Sequence, residues 1–201
     1  MRDRDLVRLY WPVELRPAFD ALFAIDDAMV QVVVRATDPT LAAIKLAWWR
    51  DRLEGLDRGE VPAEPRLQAA AQDLLPLGIG GVDLAGLERG YATLLEQAAD
   101  PEVAIQRGAL LFGLAGRLFG VERPFPLDAA GRLFAAGQLH RLGLAPKNFT
   151  VVTDMRGIPA SLRRLTGMAA LARRDLYRKE PEATPARAFA LLRHRLTGRI
   201  G

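Results

Sequence analysis

Two adjacent carboxylates, Asp26 and Asp27, stand in the middle of an apolar run at helical spacing that extends from about Pro12 to Arg35. Leu22, Phe23, Ile25, Met29 and Val30 flank them, so a helix here carries its acids among core-forming side chains. Burying a carboxylate without a cation or hydrogen-bond donors costs on the order of several kcal/mol. The fold must therefore turn this pair toward water or commit it to a cation. Gln31 stands four residues after Asp27 and Val30 four after Asp26, so neither acid finds a second carboxylate on its own face of the helix.

Apolar residues recur at three- and four-residue spacing through nearly all of the chain, which predicts helix throughout. A short piece over Asp5 to Tyr10 precedes the acidic-pair helix. Asp38 before Pro39 is an N-cap with proline in the first turn, opening a helix from Thr40 to Leu56. On that helix Trp48 and Trp49 point about 100° apart, so at least one enters the core while the other is free to roof a cavity. Further helices are expected from Arg66 to Leu75, from an Asp83 cap to Ala98, and from Asp100-Pro101 to Phe119. Gly108, Gly113 and Gly116 in the last of these permit close helix packing, at a cost of about 1 kcal/mol each relative to Ala. Pro124 and Pro126 precede a helix from Leu127 to Leu142. Gly143, Pro146, Gly157 and Pro159 frame a weakly patterned stretch in which Phe149 to Val152 is a candidate extended segment. The final helices run over Ala160–Arg178 and Pro185–Leu196. No repeat or long linker divides the 201 residues, which suffice for one sizeable core, so residues 1–201 are expected to form a single all-α domain.

Several functions are excluded or weakened by residue type. The chain has no cysteine, which removes disulfides, thiolate metal sites and a cysteine nucleophile. The one serine, Ser161, follows Pro159 and reads as part of a helix start. His140 and His194 are too far apart in sequence for a metal-ligand spacing. Gly78-Ile79-Gly80-Gly81 lacks a following lysine and a preceding strand, so it is a loop and not a phosphate cradle. No run approaches the roughly 18 uncharged apolar residues that span a bilayer, and the N-terminus carries acids in place of an apolar signal core. A cytoplasmic bacterial protein is the expectation.

Charge is divided unevenly. From Arg141 onward there are thirteen Lys and Arg against four Asp and Glu, whereas the first 140 residues are net acidic. Arg163, Arg164, Arg173, Arg174 and Arg178 give a partial basic stripe, suited to at most peripheral contact with an anionic membrane. Their sparse aromatic interleaving argues against nucleic acid as a partner.

The N-terminal third resembles the squalene/phytoene synthase family. The residues concerned are Leu9-Tyr10-Trp11-Pro12, the run from Leu15 through Asp27, Ile44 to Asp51 with its Trp48-Trp49 pair, and the Pro62-Ala63-Glu64-Pro65 loop. The resemblance implies an isoprenoid-synthase-like bundle, shortened at its C-terminal end, around an apolar cavity for which Phe23, Val30, Trp48 and Trp49 are candidates. Active members join two prenyl diphosphates using Mg²⁺ held by two Asp-x-x-x-Asp motifs. Here Asp26 and Asp27 match the start of the first motif, and Val30 stands where its closing aspartate belongs. Phe23 takes the place of a customary arginine. The region of the second motif, Gly137 to Pro146, holds no acid. The pattern is similar to a divergent branch, the complex I assembly factors related to phytoene synthase, which likewise keep a glutamine at the position of Gln31.

The expectation is therefore a non-catalytic relative with a remnant motif of Asp26, Asp27 and Gln31 and no cofactor. It would act by binding, either a protein partner in respiratory-complex assembly or a prenyl or quinone-like lipid. Two alternatives stand beside it. One is an active prenyltransferase holding Mg²⁺ through Asp26, Asp27 and a distant acid such as Asp154. The other is a peripheral membrane scaffold that uses the basic C-terminal helices.

Overall fold

A computed structural model describes residues 2–121, 125–145, 149–178 and 180–201. The described residues contain helices and turns and no sheet; the one β-type contact is an isolated antiparallel bridge between Met155 and Ile200. The all-α expectation holds. Phe149 to Val152 do not form a strand, and Pro124 and Pro146 lie outside the described residues.

The first helix, α1 (Asp3–Arg8), leads through a 3₁₀ turn into α2 (Arg16–Val34). This begins later than Pro12 because Pro17 occupies the first turn, where its missing N–H costs nothing. Next come α3 (Pro39–Leu56) and α4 (Pro65–Asp73), both opened by proline. Asp38 caps α3 through the Thr40 and Leu41 amides at 2.7 and 3.3 Å, and Glu64 caps α4 in the same manner.

The helix expected from Asp83 to Ala98 is broken. It is replaced by α5 (Gly81–Ala85), α6 (Glu88–Ala92) and a 3₁₀ turn over Thr93–Leu95, with Gly86 and Leu87 between the first two. Its cap is also different. Asp57, at the end of α3, accepts from the Gly81 and Val82 amides at 2.6 and 2.9 Å, while Asp83 sits inside the first turn and reaches back to the Gly80 amide.

α7 (Pro101–Arg117) is capped by Asp100 as its sequence predicts, and α8 (Phe125–Arg141) packs along it more extensively than any other pair. Two glycines make that approach feasible. A methyl on Gly108 would overlap the carbonyl of Gly131, and a methyl on Gly131 would overlap that of Gly108. α9 (Gly167–Tyr177) lies against α8 and α10 (Pro185–Thr197) against α9. The segment from Ala160 to Thr166, expected to be helical, is instead a run of turns, so Ser161 starts no helix.

One continuous apolar core joins these helices. Through it runs a chain of aromatic contacts. Phe119 meets Trp11, Trp11 meets Phe19, Phe19 meets Phe23, Phe23 meets Phe134 and Phe134 meets Phe112, with centroids 4.6 to 5.9 Å apart. Such edge and tilted pairs pack densely and leave the middle of the bundle filled. No helix among the described residues is long and apolar enough to cross a membrane.

Candidate functional site: a buried carboxylate with an internal cation

Asp26 points inward on α2 because its neighbours at helical spacing, Leu22, Phe23, Met29 and Val30, are all core residues. The carboxylate is fully buried. Its Oδ1 accepts from the Tyr91 hydroxyl at 2.7 Å and from Arg107 Nη1 at 2.6 Å, and its Oδ2 accepts from Gln138 Nε2 at 3.2 Å. Arg107 Nη2 donates to Gln138 Oε1, which closes the cycle. Four helices thus converge on one side chain: α2 supplies the anion, α7 the cation, and α6 and α8 the neutral donors.

Each partner is held in place. Gly90 on α6 faces the Arg107 stem so closely that a methyl there would lie 2.6 Å from Arg107 Cβ. The guanidinium stacks over the Tyr91 ring at 4.3 Å, in the manner of a cation–π contact. Burial pushes the Tyr91 phenol well above its usual value of 10; Arg107 pulls against this, and Asp26 adds to it. Tyr91 is therefore a neutral hydrogen-bond donor at any ordinary pH. Arg107 Nε is buried without a hydrogen-bond partner, a desolvation cost that the ion pair and ring stacking must offset.

Asp27 turns a different way, to the mouth of a small cleft, with its side chain 40% exposed. Arg4 Nη1 donates to it at 2.6 Å and Arg2 lies 3.7 Å away. Burial at the cleft mouth raises its pKa above the usual carboxylate value. Arg4 opposes that shift, the neighbouring Asp26 charge reinforces it, and Arg2 opposes it again.

The cleft below Asp27 has a volume of about 100 Å³ and is lined by Phe23, Phe134, Gln138, Arg141 and α9 side chains. Ligand pockets ordinarily enclose about 300–1,000 Å³. Phe23 and Phe134, edge to face at 5.9 Å, narrow the inner end of this cleft.

A second buried ion network closes the far side of the cleft. Arg187 on α10 is fully buried and donates from Nε to both oxygens of Asp3 at 2.9 and 2.8 Å, and from Nη1 to Asp175 at 2.8 Å. Burial works against its charge, but the hydrogen bonds it donates to Asp3 and Asp175 outweigh that and raise its pKa above the usual arginine value. Asp3 also accepts from the Ala183 amide at 2.9 Å, and Arg141 pairs with Asp175.

The remaining sequence-derived candidates disperse. Gln31 lines a separate cleft between the end of α2 and the start of α3, with Arg35 and Lys45. Trp49 enters the core and borders that same cleft, whereas Trp48 lies on the outer surface against it, ring to ring at 5.3 Å. Val30 is buried in the core, and Phe23 alone of the four cavity candidates lines the cleft beside Asp27. Asp154 is exposed and bonded to Arg156 at 3.2 Å, among Arg173 and Arg199 and away from the lining of that cleft. The structure therefore brings Asp26 together with Tyr91, Arg107 and Gln138, and separates it from Gln31 and Asp154.

These residues do not fit Mg²⁺. The ion demands near-octahedral oxygen ligands at about 2.0–2.1 Å. Both Asp26 oxygens already accept from protein donors, a guanidinium stands beside them, and Asp27 is committed to Arg4. Among the described residues no group of three or more His, Asp or Glu has the geometry of a metal site.

Sequence reasoning missed Arg107, Tyr91 and Gln138. Gln138 lies within Gly137 to Pro146, the region of the second motif, but a neutral amide gives no acidic signal there. Arg107 carried a readable signal, as a single cation among Ala104, Ile105, Gly108, Ala109 and Leu111 on α7. A lone buried cation and a lone buried anion in one core are natural partners.

No family model matches the chain, and no curated protein or solved structure matches it significantly.

Proposed function

We propose that this chain is a degenerate squalene/phytoene synthase-like protein that acts by binding a protein partner, in the manner of the respiratory-complex assembly branch it resembles, and not by condensing prenyl diphosphates. One observation carries the proposal: the acid that matches the catalytic motif, Asp26, is fully buried and neutralised by Arg107. Departure of a diphosphate requires mobile or coordinated cations that offset the negative charge developing on the leaving group. Three of the roughly four acceptor sites of Asp26 already take protein donors, and its positive partner is aimed at Asp26 itself.

The volume of the cleft favours a protein partner over an isoprenoid or quinone-like lipid. About 100 Å³ bounded by Phe23 and Phe134 is well below the roughly 300–1,000 Å³ of ordinary ligand pockets. With its interior filled, such a scaffold interacts through its outer surface.

Incubation of the purified protein with labelled farnesyl or geranylgeranyl diphosphate and Mg²⁺ is expected to return unchanged substrate. Product formation that disappears in Asp26→Ala would overturn the proposal. In cells of the source, loss of the chain is expected to reduce assembled complex I on native gels while leaving isoprenoid content unchanged; the reverse outcome would favour the enzyme.

A further inference from the structure

The outer face of α10 carries the residue types of an inner one. Phe189, Leu192 and Leu196 project from one side of the helix and are 67, 45 and 70% exposed. The opposite side is already in use, since Arg187, Leu191 and His194 are buried against the rest of the molecule. A helix packed on one face normally turns polar side chains to water on the other. Here a bulky apolar stripe faces outward, with Tyr177 of α9 exposed beside it.

Arginines line one flank of this stripe. A groove of about 360 Å³ between α9 and α10 is lined by Arg173, Arg174, Arg178, Arg193 and Arg199 and by no Asp or Glu. Arg174 is paired with Glu180 at 2.7 Å. The others make no contact ion pair among the described residues, although Asp154, bonded to Arg156, also feels the charges of Arg173 and Arg199. Arg173 donates to the Thr153 carbonyl, Arg193 to the Gly201 carbonyl, and Arg178 has no ion pair among the described residues. The stripe expected from sequence is redistributed: Arg163 turns inward to the Ile158, Arg195 and Leu196 carbonyls, and Arg164 packs over Phe119. The cationic face, offset in part by Glu180 and Asp154, is built from α9 and α10 together.

We propose that this face docks on an anionic lipid bilayer, with α10 lying in the plane of the interface. Phe189, Leu192 and Leu196 enter the boundary between headgroups and acyl chains, and Arg173, Arg178, Arg193 and Arg199 meet lipid phosphates along the α9 flank. A helix of 13 residues is about 20 Å long and needs to sink only about 5–10 Å to bury such a stripe. The shape favours a bilayer over an acidic protein. The apolar side chains stand out from a convex helix, which a fluid interface accepts anywhere, whereas a protein would need a matching concavity. None of the residues involved belongs to the Asp26 network, so this inference stands or falls separately from the function proposed above.

The test is sedimentation of the full-length chain with vesicles of phosphatidylcholine alone and of phosphatidylcholine mixed with phosphatidylglycerol. Binding is expected to the anionic vesicles and to fall as salt rises. Each of Arg173→Gln, Arg178→Gln and Arg199→Gln is expected to weaken it about fivefold, and Phe189→Gln with Leu196→Gln by at least about tenfold. Apart from Arg173, half-buried and bonded to the Thr153 carbonyl, the altered side chains are exposed, so circular dichroism and melting should confirm an intact fold. Absence of binding to anionic vesicles, or equal binding by the Gln variants, would overturn the proposal. Displacement by glycerol phosphate at constant ionic strength would reassign the groove to a soluble phosphate. Capture of polyglutamate with vesicles ignored would reassign it to an acidic protein.

Discussion

Arg107 and Asp26 form an ion pair from which water is excluded on both sides, so removing one partner strands the other. Arg107→Met is expected to destabilise the protein by about 3–5 kcal/mol, because an unpaired carboxylate then sits in the core. The double variant Asp26→Leu with Arg107→Met should recover most of that loss, since well-packed apolar replacements of a buried pair are often neutral or stabilising. Urea titration of the two single variants and the double variant measures the coupling directly. His194 makes a pH prediction of opposite origin. Burial lowers its pKa below the ordinary 6.5, hydrogen bonding to the Arg199 and Arg163 backbone opposes this, and the nearby Arg163 and Arg195 charges reinforce it. The unfolded chain therefore binds the proton more tightly than the folded one. Stability is fully present above pH 6.5 and is lost as pH falls through the lower folded value. Melting temperature measured from neutral to mildly acidic pH should fall for the native chain and fall less for His194→Gln.

Helix ends were legible wherever the cap lay within the helix's own sequence. Asp38-Pro39 and Asp100-Pro101 each place a side-chain acceptor and a proline at adjacent positions, and both helices start there. The start of α5 was not legible in that way, because its cap comes from Asp57 at the end of α3, and nothing in the local pattern distinguishes it from Asp83. Asp57→Ala is expected to cost about 1 kcal/mol through loss of two amide partners, and Asp83→Ala less; thermal melts of the two rank them. The glycine spacing on α7 reads correctly as a close-packing signal at Gly108. Ala there gains up to about 1 kcal/mol of helix propensity but drives a methyl into the Gly131 carbonyl, which cannot rotate away. Overpacking of this kind costs about 1–3 kcal/mol or more, so Gly108→Ala should be net destabilising in denaturant titration.

On the scale of the whole molecule, the all-α class followed from periodicity, because a 3.6-residue repeat persists whatever the helices pack against. The site did not. Asp26 and Asp27 are adjacent in sequence and look equivalent there, yet one is buried with Arg107 and the other half-exposed with Arg4, and only the packing of α6, α7 and α8 separates their fates. Long-range closure is similarly invisible from sequence: Asp3 and Arg187 join the two ends of the described chain through a buried pair. Asp3→Ala is expected to lower stability by roughly 3 kcal/mol, at the low end for a broken buried pair because Asp175 remains bonded to Arg187; differential scanning calorimetry would register it. The internal cation has one more consequence. A counter-ion that is part of the polypeptide has no dissociation constant of its own. It cannot be chelated, diluted or exchanged, so the balance of charge around Asp26 is set when the chain folds and takes no notice of how much magnesium the surroundings offer.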